Sequence, residues 1–206
     1  MTSTISARMP FAPGRILTLY ARSRHVPGAV GVLIVLAAFL WADLRWGWSI
    51  AGGAAAQQLV PLVVMAGAAA AIGVATYGPL GEAEKATGRW LPLLRLGTAV
   101  LLSVAAAALL AAAGSGGRLA TGDLELMRDL AGSIGVALLT AAAVGGQFAW
   151  IGPIAYWLVT ESALASALST PLIWPTLPSN SAAAMTAAVT VAVAGFAAIT
   201  VRGAPS

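Results

Sequence analysis

Six times along this chain an apolar run of about twenty residues recurs with almost no charge inside it. The runs fall near Ala29 to Leu44, Gln58 to Tyr77, Leu91 to Ala113, Leu130 to Gly146, Phe148 to Ser169 and Ala182 to Val201. A segment of that length matches the hydrocarbon thickness of a bilayer. There every backbone group must bond within its own helix or within a closed barrel. The runs lack the strict polar/apolar alternation of barrel strands, so the expected fold is all-α: a polytopic bundle of six transmembrane helices. The 206 residues are 59% hydrophobic and 9% charged. A water-exposed domain carries about 25% charged residues, so no soluble catalytic or nucleotide-binding domain fits beside six spans.

Residues 1–28 form the one substantial stretch outside the spans. Arg15, Thr18, Arg22 and His25 fall on one helical face, and Ile16, Leu19 and Tyr20 on another. With Arg24, this pattern predicts an amphipathic helix lying in the membrane interface. The transmembrane domain then covers 29–201, and 202–206 form a short tail. Of the eleven lysines and arginines, eight (Arg8, Arg15, Arg22, Arg24, Lys85, Arg89, Arg95, Arg202) fall on the N-terminal side of the membrane and three (Arg45, Arg118, Arg128) on the other. Positive charge stays on the cytoplasmic side. The expectation is a multi-pass plasma-membrane protein with both termini cytoplasmic. The net charge of +4 reads as topology and anionic-lipid contact rather than nucleic-acid binding.

Several chemistries are excluded. Cysteine is absent and His25 is the single histidine, so thiol chemistry, iron–sulfur ligation and bis-histidine haem within the chain are ruled out. No metal site, cofactor or catalytic residue is expected, and no serine–histidine or cysteine–histidine arrangement occurs. Three features remain. In Gly78 to Arg89, Pro79 opens a turn, Glu82 and Glu84 sit near its N-terminus, and Lys85 and Arg89 follow. That order favours a short charged cytoplasmic helix suited to docking. Glu161 interrupts the fifth run. Either it is a substrate-cation or proton site, or the span ends near Val159 and residues 161–178 form a re-entrant outer hairpin, with Trp174, Pro175 and Pro178 at the interface. The charged stretch Asp123, Glu125, Arg128, Asp129 reads as a solvated cap of the following helix.

This layout resembles the membrane (permease) subunit of an exporter-type ATP-binding cassette (ABC) transporter, the type II class built as six-helix half-transporters. The stretches LTLYARSRHVPGAV, EAEKATGRWLPLLRL, RDLAGSIGVALL and FAWIGPIAYWLV are similar to small actinobacterial members. The resemblance implies a subunit with no enzymatic activity, a separate cytoplasmic ATPase, and a second permease subunit, identical or related. It also implies that Arg15, Arg22, Arg24 and His25 lie on a connecting helix, and that Glu82, Glu84, Lys85 and Arg89 form the coupling element. Glu161, Trp174 and Pro175 would belong to an outer re-entrant element bordering the translocation path. Two other classes fit the composition: a scaffolding subunit of a larger membrane complex, and a membrane-embedded lipid-acting enzyme using Glu161 or the Asp123/Asp129 group.

Overall fold

The computed structural model describes residues 25–46, 54–76, 91–115, 122–166, 170, 172–178 and 180–202. Arg15, Arg22, Arg24, Glu82, Glu84, Lys85 and Arg89 lie outside the described residues, so the interfacial helix and the coupling segment do as well. Every regular element among the described residues is helical: α1 (Val26–Trp46), α2 (Ala54–Ala75), α3 (Leu91–Gly114), α4 (Gly122–Val144), α5 (Ile151–Ala165) and α6 (Ala182–Arg202). Two short 3-10 turns, Gly146–Phe148 and Trp174–Thr176, follow α4 and precede α6.

Among the described residues four helices are long and apolar enough to cross a membrane: α1, α3, α4 and α6. A shorter apolar helix, Val60–Ala75, lies within α2. Helix α5 has 15 residues and is about 22 Å long, against the roughly 30 Å of a hydrocarbon core. Large apolar side chains point outward on the long helices, among them Val35 on α1, Leu101 on α3 and Val193 on α6. In water such a surface would aggregate, whereas lipid solvates it. The chain is built as a multi-pass membrane protein.

Helix α4 is the axis of the bundle. More than half of its apolar window is buried (56%), against 22% to 28% for α1, α3 and α6. It packs on α2, α3, α5 and α6 and on both 3-10 turns, while α1 leans on α2 and α3. The packing uses small residues. Ala68, Ala69, Ala99, Ala106, Ala137, Ala141, Ala184 and Ala188 are all completely buried, which lets helix backbones approach where no hydrophobic effect drives them together. The tightest crossing joins α4 to α6. A Cβ at Gly135 would lie 2.5 Å from the Val191 carbonyl oxygen, and one at Gly195 would lie 2.6 Å from that of Gly135. Hydroxyls inside the helices bond back within their own turn: Thr98 donates to the Leu94 carbonyl, Ser103 to Ala99 and Thr140 to Val136. These polar side chains are therefore satisfied locally.

Two expected boundaries differ. Helix α4 begins at Gly122, eight residues before Leu130, so the charged stretch read as a solvated cap is helical. Helix α5 does not stop near Val159; it continues through Glu161 to Ala165. The Thr160 hydroxyl, itself buried, donates to the Tyr156 carbonyl within this stretch.

Candidate functional site

Glu125, Arg128, Asp129 and Gly132 occupy positions i, i+3, i+4 and i+7 of α4. That spacing places them on one stripe of the helix. Arg128 is 2% exposed and Asp129 4%, so the stripe faces the bundle. The expectation of a solvated group is corrected here. The physical reason lies in what the charges meet. Arg128 Nε donates to Asp129 Oδ1 at 2.8 Å. Arg128 Nη1 donates to the carbonyl oxygens of Leu177 and Pro178, both at 3.1 Å. Glu125 Oε1 lies 3.5 Å from Nη2. A buried guanidinium is tolerable only when paired and hydrogen-bonded, and these four oxygens surround it.

The partner is the segment 172–178, which folds back against α4. Its 3-10 turn is set by the Leu177 amide donating to the Trp174 carbonyl and the Thr176 amide to Ile173. Pro175 occupies the start of that turn, where a missing N–H leaves no bond unmade. Trp174 is 2% exposed, stacked on Tyr156 with centroids 4.5 Å apart and planes at 24°. The Nε1–Cζ2 edge of its ring meets Gly132: a Cβ there would sit 2.5 Å from Trp174 Cε2. The Tyr156 hydroxyl donates to the Leu172 carbonyl at 3.0 Å, and Ser181 Oγ accepts from the Ala184 amide as α6 begins.

Gly132 is near the middle of α4, about 15 Å along the axis from Gly122. The segment therefore reaches half the length of the central helix. Trp174 was expected at the membrane interface, where an indole normally anchors; the structure buries it instead, because Gly132 leaves a slot for the ring and Tyr156 covers its face. Irregular backbone at such depth must be enclosed by protein, and Arg128 supplies donors for two of its carbonyls.

Of the sequence-predicted residues, Trp174 and Pro175 are brought together with the Arg128 group. Glu161 is on α5, half-buried, and joins neither the Arg128 group nor the aromatic pair. His25 lies just before α1 with φ 53, at the rim of an apolar groove of about 360 Å³ between α1 and α2, remote in sequence and place from the Arg128 stripe. Arg128 and Tyr156 were not singled out as organising residues. The sequence shows that Glu125, Arg128, Asp129 and Gly132 share one helix face, but not that this face is buried. Nothing in the local sequence marks Tyr156.

The arrangement binds and positions backbone; it holds no nucleophile with an adjacent base. Among the described residues no group of three histidine, cysteine, aspartate or glutamate side chains is placed to hold a metal ion. Glu161→Gln is expected to leave folding unchanged to within about 0.5 kcal/mol, as for substitutions outside bonded networks. The check is membrane yield and detergent melting of the variant; a collapse of either would place Glu161 in a structural ion pair. No protein-family model, no curated protein and no solved structure matches this chain.

Proposed function

We propose that the chain is the permease subunit of an ATP-driven exporter of the ABC class. It has six spans and no enzymatic activity of its own. It works with a cytoplasmic ATPase and a second permease subunit, identical or related. In this reading the six crossings are the four long apolar helices, α2 with its apolar stretch Val60–Ala75, and the 15-residue α5. The observation that carries it is the segment 172–178, folded back to the middle of α4 just before the last helix. The resemblance to half-transporter permeases implies an outer re-entrant element before the last span; residues 161–165 belong to α5, which leaves 172–178 for that role in this reading. Irregular backbone within a membrane bundle is tolerated where protein encloses it or where it borders a water-filled cavity, and in this reading 172–178 borders the translocation path.

ATP binding can drive such a subunit only through a cytoplasmic surface that an ATPase can push. In this reading that surface is the segment 78–89, continuous with α2 and α3. Glu82 and Glu84 pair with basic residues of the ATPase, and Lys85 and Arg89 with acidic ones. Reversing Glu82 and Glu84 to lysine is expected to abolish co-purification of the ATPase or uncouple hydrolysis from transport, with insertion intact. Wild-type association and transport in that variant would remove the coupling role.

The topology is tested separately. In intact cells a membrane-impermeant thiol reagent is expected to label Gly116→Cys and not Lys85→Cys, since the eight basic residues define the inner side. External labelling of Lys85→Cys would invert the whole arrangement.

A further inference from the structure

The segment 172–178 rests on the bundle through a footing of its own. Trp174, Ala184 and Ala188 form a small buried cluster with Tyr156, Leu177 and Val191 against them. The main core, which runs through α1, α2, α3 and α4 and reaches Ile199 of α6, is a separate cluster. Trp174 is the one buried side chain of 172–178, and apart from Leu177 the rest of its cluster belongs to α6, to Tyr156 of α5 and to Val136 of α4. A segment tied down through so few buried side chains can open at a free energy below that of global unfolding.

The docked state is also incompletely satisfied. Trp174 Nε1 is buried with no acceptor, and Arg128 Nη2 is buried without a hydrogen bond of proper geometry. A buried donor without an acceptor forfeits its bond to water and gains nothing in return. Both such atoms lie where the segment meets α4. What offsets them is one guanidinium nitrogen donating to two carbonyls, the Tyr156 hydroxyl donating to the Leu172 carbonyl, one ring stack, the packing of Trp174 on Ala184 and Ala188 of α6, and a seat that exists because Gly132 has no side chain.

We propose that residues 172–178 form a latched strap. It undocks from α4 as a unit while the helices stay packed, and Arg128 is the latch that sets how often it does so. On release, Trp174 leaves Gly132 and the Tyr156 ring, Leu172 leaves the Tyr156 hydroxyl, and Leu177 and Pro178 leave Nη1. A cleft opens between α4, α5 and α6 down to the middle of α4. Asp129 keeps Arg128 Nε throughout, so the guanidinium stays anchored to its own helix and is ready to recapture the strap. The two orphaned donors, Trp174 Nε1 and Arg128 Nη2, gain access to water in the open state. This property belongs to the chain's own fold and stands whether or not an ATPase is the partner.

The absence of cysteine makes the test clean. Leu177→Cys reports on the strap, and Leu138→Cys, completely buried in the main core, reports on the bundle. Both are labelled with a hydrophilic maleimide in permeabilised native membranes. Leu177 is half-buried in the docked state, so its labelling rate in the otherwise unchanged chain is the baseline against which the variants are read. Adding Arg128→Gln is expected to speed Leu177→Cys labelling by about tenfold to a hundredfold, the loss of hydrogen bonds to a charged group. Gly132→Ala, which pushes the ring from its seat, is expected to act in the same direction without touching the latch. Leu138→Cys should stay unlabelled in both backgrounds. Unchanged Leu177→Cys rates in these variants, or rates that rise in step with Leu138→Cys, would show that the segment is a fixed part of the bundle. Should Arg128→Gln fail to accumulate in membranes, Gly132→Ala decides the matter alone.

Discussion

Gly135→Val is expected to cost at least about 3 kcal/mol, at or beyond the upper end of the range for overpacking a tight interior. The clash it creates is with backbone. A Cβ at Gly135 would meet the Val191 carbonyl oxygen at 2.5 Å and the Ala192 amide nitrogen at 2.6 Å. No rotamer change relieves that, so α4 and α6 must separate along their whole contact. These two helices form the most extensive pairing in the bundle. Gly97→Ala is the matched control: a Cβ at Gly97 meets nothing within 4 Å. Its expected effect is neutral to stabilising by up to about 1 kcal/mol, the helix-propensity difference between glycine and alanine. Both effects are read from unfolding in mixed detergent titrations. A Gly135→Val protein as stable as the Gly97→Ala protein would mean that the α4–α6 crossing is looser than described.

The second large effect concerns the pair Arg128 and Asp129. Asp129→Leu removes the closest counter-charge, the Nε bond at 2.8 Å, and leaves a guanidinium with no exposed surface. Breaking a buried pair from one side costs about 3–5 kcal/mol. Replacing both, as Arg128→Met with Asp129→Leu, removes the uncompensated charge and is expected to destabilise less than Asp129→Leu alone. The unfolding midpoints of the two single variants and the double variant close a thermodynamic cycle. Additive losses would show that the two charges do not depend on each other. In the double variant the strap still lacks its donor to Leu177 and Pro178. Recovered stability with a released strap would thus separate the two roles of Arg128.

Four of the six expected spans are helices long and apolar enough to cross a membrane, and they were legible because lipid imposes a length and a composition on any helix that crosses it. The expected starts at Leu91 and Ala182 coincide with the starts of α3 and α6. What was not legible follows from interactions distant in sequence. Glu125, Arg128 and Asp129 look like loop residues until the carbonyls of Leu177 and Pro178, 49 and 50 residues later, are seen to accept from Arg128. Glu161 looked like a span terminus because a carboxylate is unwelcome in lipid, yet α5 continues past it to Ala165, with Thr160 buried and its hydroxyl bonded to the carbonyl of the half-buried Tyr156. Trp174 looked like an interface anchor because tryptophan usually is one. Only the missing side chain at Gly132 creates its seat, and a glycine in a helix has several commoner explanations. The coupling residues of the segment 78–89 and the connecting-helix arginines lie outside the described residues, so their roles rest on the sequence alone.

The buried charges of α4 also bear on how the chain is made. This helix has the lowest mean hydropathy of the four long spans, 1.4 against 2.0 to 2.2. At about 5–20 residues per second of synthesis, the carbonyls that accept from Arg128 leave the ribosome roughly 2 to 10 s after it does. During that interval Arg128 has Asp129 and Glu125 beside it and no other oxygen of its final set. Helix α4 is therefore poorly suited to entering lipid alone. It would dwell at the insertion machinery until α5, the strap and α6 arrive, and the last three elements would be released into the bilayer together with it.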